Sequence, residues 1–315
     1  MIVVLGDLIA DFSLRIGAFP VAAGSMQRVE YLELGPGGAC NTAIAAARLG
    51  LAVCALGEVG DDRFGAIVSS GLEREGVEVG RLRVVAGGET PVAGVLVDAR
   101  GEPAYLGYPG TLRQAELPPE WAETIDAAQA LFADGWADHS ENGALVLQAL
   151  ERAQRAGRPV FFDPGPGNPA VVSGWHVQAA ARSTVVLATE EEARRLTGLR
   201  DPIESARALL ALGPELVVLK RGVAGCVLVR ADAMHIAPGL PVDARDATGA
   251  GDSLAAAVIY GHLRGLALAD LGTLANATGA AKVEKLGTGH NVPTRAEVRA
   301  MLRRFGGDAQ RLLPA

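Results

Sequence analysis

Residues 243–261 read "DARDATGAGDSLAAAVIYG". Gly249 and Gly251 flank Ala250, Asp252 follows, and an apolar run begins at once. The run predicts a buried helix, and "TGAG" predicts a flexible turn entering its N-terminus. Such a terminus leaves amide N–H groups without intrahelical partners and carries partial positive charge. The glycines let a ligand approach the backbone closely. The stretch therefore reads as an anion site, and phosphate is the commonest anion at such turns. An acid in a first helical turn also serves simply to complement the dipole. The chemical reading is that Asp252 sits beside a bound phosphate and takes a proton from an attacking hydroxyl. Phosphoryl transfer needs in-line positioning, a charge-stabilising hole, a metal and an oriented nucleophile.

Upstream, short apolar runs alternate with helical spacing. "IVVLG" (2–6), "AVCALG" (52–57), "ALFAD" (130–134), "PVFFD" (159–163), "VVLAT" (185–189) and "LVVLK" (216–220) predict buried strands. Helices are expected over 41–49, 64–75, 141–156, 190–196 and 203–212. The alternation predicts a Rossmann-like α/β core, a parallel sheet with helices on both faces. Residues 12–34 and 77–108 break the rhythm, and 92–108 reads as a hairpin turning at "DARGEP". A small β-sheet lid is expected from 12–34 and 77–108, over a core of 1–11, 35–76 and 109–315. Open α/β sheets bind ligands beyond the carboxyl ends of their strands. Polar residues recur there: Asp7 and Asp11, Asp134–Trp136, Asp163, Thr189–Glu192, and Lys220 onward.

The chain has 315 residues, enough for a sizeable core. Its net charge of −7 gives no reason to expect nucleic acid or an anionic membrane as partner. No apolar run reaches the roughly 20 residues of a membrane span. The N-terminus lacks a basic region and reads as a first strand rather than a signal peptide. Cys40, Cys54 and Cys226 form no CxxC and read as reduced core thiols of a cytoplasmic protein. Only Lys220, Lys282 and Lys285 are lysines among 29 basic residues, which reads as codon bias. No Gly-Lys dipeptide occurs, so a Walker-type phosphate loop is excluded. "GDLIAD" supplies no GxGxxG after the first strand, and the five histidines show no paired zinc spacing.

"DATGAGD" (246–252) resembles the C-terminal signature of the ribokinase-like sugar kinases, the phosphofructokinase-B family, usually D-T-x-G-A-G-D. Ala247 stands at the first Thr position. "GPGGACNTAIAAARLG" (35–50) resembles the family's N-terminal signature, with its core at Gly37, Gly38 and Asn41. The resemblance runs nearly the whole chain. It implies ATP with Mg²⁺ and phosphorylation of a primary hydroxyl on a sugar or nucleoside. Asp252 would be the base, with Gly249, Ala250 and Gly251 as the anion hole. Asp11, Gly37, Gly38 and Asn41 would hold the acceptor, and Trp136 after "ALFADG" would face it. The nucleotide side would comprise Thr189, Lys220, Gly222, Gly225, Thr248 and Asn276. Glu192 would act on Mg²⁺ through water, although Thr189 replaces the family's Asn before it. Many members also need K⁺, which Asp246 and residues 285–291 would border here. Relatives often dimerise through the lid, so a homodimer is expected on resemblance alone. Arg15, Arg28, Arg100 and Arg113 could serve a phosphorylated acceptor or be plain solvated surface. A non-catalytic sugar- or nucleotide-binding protein is the competing expectation, and an intact Asp252 argues against it.

Overall fold

The computed structural model describes residues 1–136, 143–165 and 174–314. The expected helix positions 141–142, the end of "FDPGPGN" and His139 lie outside them. The main sheet has eight strands: β1 (Ile2–Leu5), β4 (Val53–Leu56), β9 (Ala130–Asp134), β10 (Val160–Asp163), β11 (Val185–Thr189), β12 (Leu216–Lys220), β13 (Cys226–Val229) and β14 (Met234–Ala237). Their order is β14-β13-β12-β11-β10-β9-β1-β4. From β4 to β12 all pairings are parallel, and β13 and β14 close one edge antiparallel. All six expected strands are present.

Side chains alternate across the sheet, so Phe161 joins one apolar layer and Phe162 the other. The first layer is covered by α1 (Ala39–Arg48), α2 (Arg63–Arg74), α8 (Ala250–Leu263), α9 (Leu268–Val283), α10 (Arg295–Arg304) and α11 (Ala309–Leu312). The second is covered by α3 (Pro119–Ala127), α4 (Ala144–Arg155), α5 (Gly174–Ala181), α6 (Glu190–Thr197) and α7 (Pro202–Leu210). Val, Ile, Leu and Phe dominate the strands because both faces are dry. The three cysteines are buried and unbridged. No described helix is long and apolar enough to cross a membrane.

A separate four-stranded sheet is made by β2 (Leu8–Arg15), β3 (Tyr31–Gly38), β7 (Val92–Val97) and β8 (Pro103–Tyr108), ordered β3-β2-β7-β8. The hairpin at 92–108 is as expected, with Val97 opposite Pro103. The strand limits differ from those read in the sequence. β2 begins three residues after β1 ends, so 8–11 already belong to the small sheet, as do 35–38. Residues 77–90 do not join it: β6 (Arg83–Val85) pairs with β5 (Glu58–Gly60), and Glu78 bridges Cys54 at the core edge. The reason is hydrogen bonding, since each of these segments finds its backbone partners in a different sheet.

Candidate active site

The strand registers align the carboxyl ends of the main sheet. Asp134 stands opposite Asp163, and Thr189 opposite Lys220. These ends, the small sheet and the start of α8 enclose a cleft of about 540 Å³. Of the residues singled out in the sequence, it brings together Asp11, Gly38, Asn41, Trp136, Thr189, Glu192, Lys220, Thr248, Gly249, Gly251 and Asp252.

Gly249 takes a left-handed conformation (φ 75°) as the residue before α8, which a residue with a Cβ rarely adopts. Thr248 N–H donates to Asp246 Oδ1 at 2.8 Å, locking the turn from below. The Ala250 N–H is committed to the Ala247 carbonyl at 3.2 Å, while its neighbours Gly249 and Gly251 line the cleft. Asp252 is in the first turn of a helix that is buried from Ser253 to Gly261. Burial, then the charge of Asp163, pushes its carboxyl up to about 6, against the Asn41 amide and the Lys220 and Lys282 charges. A carboxyl with that value is mostly ionised at neutral pH yet able to take a proton.

Asn41 comes from the first helical turn of α1. Its Nδ2 donates to Asp252 Oδ2 at 3.0 Å, and its Oδ1 accepts the Gly289 N–H at 2.8 Å. The structure thus gives Asn41 a role the sequence did not disclose: it orients the carboxylate. Gly37 lies directly under Asp11, and a Cβ there would fall 2.0 Å from the Asp11 carboxyl carbon. Gly38 is as tightly placed, with a would-be Cβ 2.2 Å from the Asp7 carbonyl oxygen. Burial raises Asp11 to about 7, opposed by a hydrogen bond with Thr288 and aided by Asp252, Asp7 and Asp246.

The floor of the cleft is acidic. Asp134 is held well above the usual carboxylate range by burial and then by Asp7, Asp252 and Asp163. Lys220 Nζ donates to Asp163 Oδ2 at 2.6 Å and lies 3.7 Å from Glu192 Oε2. Burial alone would lower Lys220, but the two carboxylates outweigh it and raise it. Thr189 Oγ1 accepts the Glu192 N–H at 3.2 Å while Glu192 Oε2 accepts the Thr189 N–H at 2.7 Å. This capping box starts α6 and fixes the Glu192 carboxylate at the cleft. The Thr at the family's Asn position thus still anchors the acid. Among the described residues no cluster of three metal-ligating side chains exists.

Gly222, Gly225 and Asn276 lie outside this cleft. Gly225 (φ 89°) packs on the β14 exit, where a Cβ would meet the Ala237 carbonyl oxygen at 2.2 Å. Asn276 Nδ2 donates to the Ala237 and Pro238 carbonyls at 3.0 and 2.9 Å, beside a second cavity of about 180 Å³. Asp246 is buried beneath the turn, its Oδ2 accepting the Gly287 N–H at 2.8 Å. Two site residues went unread in the sequence. Tyr105 of β8 faces Trp136 edge-on, with ring centroids 6.0 Å apart. Lys282 of α9 is fully buried, with its Cε 3.5 Å from a would-be Gly249 Cβ. The scarcity of lysine was the available signal for it.

The model of the pfkB family carbohydrate kinases matches residues 1–295. The ATP-dependent ribose-1-phosphate kinase of Halopiger xanaduensis is 32% identical over 292 residues, covering 93% of this chain and 94% of that protein. A nucleoside kinase of Methanothermobacter thermautotrophicus is 29% identical over 297 residues, 93% and 92% of the two chains. Arabidopsis thaliana ribokinase, solved with ribose and ATP, superposes with a TM-score of 0.82 at 21% identity, over 96% of this chain and 98% of that one. A relative from Escherichia coli solved with ATP and Mg²⁺ gives 0.81 at 21% identity, over 96% and 99%. At that identity these structures establish the ribokinase-like fold. With the family match spanning both glycine signatures and the cleft between them, the chain belongs to the pfkB family of carbohydrate kinases.

Proposed function

We propose that this chain transfers the γ-phosphoryl group of ATP to a primary hydroxyl of an unphosphorylated sugar or nucleoside. The observation that carries the reading is Asp252, held by Asn41 at the mouth of the glycine turn and open to the cleft. The acceptor oxygen forms its bond to the γ-phosphorus, the bond to the β-phosphate oxygen breaks, and the hydroxyl proton passes to Asp252. The Gly249 and Gly251 amides receive the transferred group. Asp11 and Asn41 position the acceptor. The base of the nucleotide lies toward Gly222, Gly225 and Asn276, and Thr189, Lys220 and Thr248 lie on its phosphate side. Mg²⁺ arriving on the phosphates would neutralise their charge, and Glu192 is placed to hold one of its waters.

The lining favours an acceptor without its own phosphate. Lys220 is the one basic side chain among the described lining residues, and it is committed to Asp163. Arg15 pairs with Glu30, Arg100 with Asp98, Arg113 donates to the Leu112 carbonyl, and Arg28 is exposed. None of them lines the cleft. The Tyr105–Trp136 corner supports a flat apolar face, which suits a nucleobase or the C–H face of a sugar. ADP formation from MgATP across ribose, fructose, 2-keto-3-deoxygluconate, adenosine, cytidine, ribose 1-phosphate and fructose 6-phosphate tests this. Turnover is expected on a member of the first five. Preference for either phosphate ester contradicts the acceptor assignment, and acceptor binding without ADP formation favours a binding protein on the same fold.

A further inference from the structure

The resemblance to K⁺-dependent sugar kinases calls for that ion beside Asp246 and residues 285–291, and the residues present do not fit it. Lys282 already points there. Its Nζ donates to the Lys285 carbonyl at 3.2 Å and reaches the Asp246 carbonyl at 3.5 Å. Backbone carbonyls from two converging segments are the oxygens K⁺ would take. The Asp246 carboxylate is engaged at both oxygens, by the Thr248 and Gly287 N–H groups at 2.8 Å each. Lys282 is fully buried. An ammonium in such a place costs desolvation that an apolar side chain of the same length would not.

The position bears on the chemistry. Lys282 lies under Gly249, and its charge reaches Asp252, whose carboxyl it helps to keep ionised. The loop it ties down continues to Gly289, which donates to the same Asn41 that orients Asp252. We propose that the Lys282 ammonium is a built-in monovalent cation: it clamps the 246–249 turn to the 285–289 loop, sets a fixed positive charge beneath the anion hole, and makes the enzyme independent of K⁺. Burial pulls Lys282 down to about 8, so most of it is charged at neutral pH.

The test compares KCl with choline chloride at equal ionic strength. Wild-type turnover and melting temperature are expected to be the same in both. Lys282→Ala opens the carbonyl cage; in choline its turnover is expected to fall about tenfold or more, and KCl or NH₄Cl restores it. Without nucleotide or acceptor, KCl is expected to raise the melting temperature of Lys282→Ala and leave wild type unmoved. The turnover arm rests on the kinase reading and the melting arm does not, so failure of one is distinguishable from failure of the other. Lys282→Met, which fills the space without charge, should fold, lose turnover and gain nothing from K⁺. Activation or thermal stabilisation of wild type by K⁺ overturns the proposal, as does a Lys282→Ala protein indifferent to K⁺ in both readouts.

Discussion

At the scale of single residues, the site works by crowding acids and then relieving them unequally. Asp11, Asp134, Asp163 and Asp252 are all raised, with burial as the leading cause in each. Asp252 is the one among them that accepts from Asn41 Nδ2. That bond stabilises the ionised form, so it holds Asp252 lower than burial alone would. For a base that must be charged, the rate falls as pH drops through its pKa. In wild type the acid limb of kcat, measured at saturating acceptor so that the titration of Asp11 drops out, is expected near pH 6, following Asp252. In Asn41→Ala it should move upward by about one unit, the worth of one charge-assisted hydrogen bond. A limb that stays in place or moves down contradicts the pairing. Asp252 and Asn41 were singled out because each sits in a short glycine-rich string whose chemistry is local, and Asp11 chiefly through the family resemblance. Lys282 and Tyr105 were not: one lies on the helix after the motif, the other on a strand of the hairpin, and only folding brings them to Gly249 and Trp136.

At the scale of elements, turns decide what the strands and helices present. Gly37, one residue before the end of β3, lies beneath Asp11, with no room for a methyl group between them. Gly37→Ala is expected to displace the Asp11 carboxylate and raise the acceptor KM about tenfold or more, since a misplacement of about 1 Å at a binding group costs that much. The KM for ATP should hardly move. Equal losses for both substrates would show a general disruption instead. The six parallel strands of the main sheet were readable because each is a short apolar run between turns, whereas β13 and β14 were not among the expected strands. The limits of the small sheet were not readable. Nothing local says that β2 leaves the main sheet three residues after β1, or that 77–85 pairs with the core edge. Those are outcomes of long-range pairing.

At the scale of the molecule, alternation along the small sheet separates two faces. Asp11, Ala93 and Tyr105 line the cleft. Registers put Phe12, Leu14, Leu34, Leu96 and Leu106 on the opposite face, together with Leu32. Leu32 and Leu106 are 59% and 68% exposed, so among the described residues nothing covers this part of the face, although Leu34 packs on the core. We propose that a second copy covers it. Sedimentation should show a dimer, and Leu106→Asp a monomer; a monomeric wild type contradicts this. The same architecture, with a glycine turn below and a sheet above, sets the central claim that Asp252 is the base of a phosphoryl transfer. The most direct test is acceptor-dependent ADP formation by wild type and Asp252→Asn on the preferred compound, with ATP affinity measured in parallel. A loss of about 10²–10⁴-fold in turnover at unchanged ATP affinity is the predicted result. Turnover like that of wild type in Asp252→Asn would contradict it.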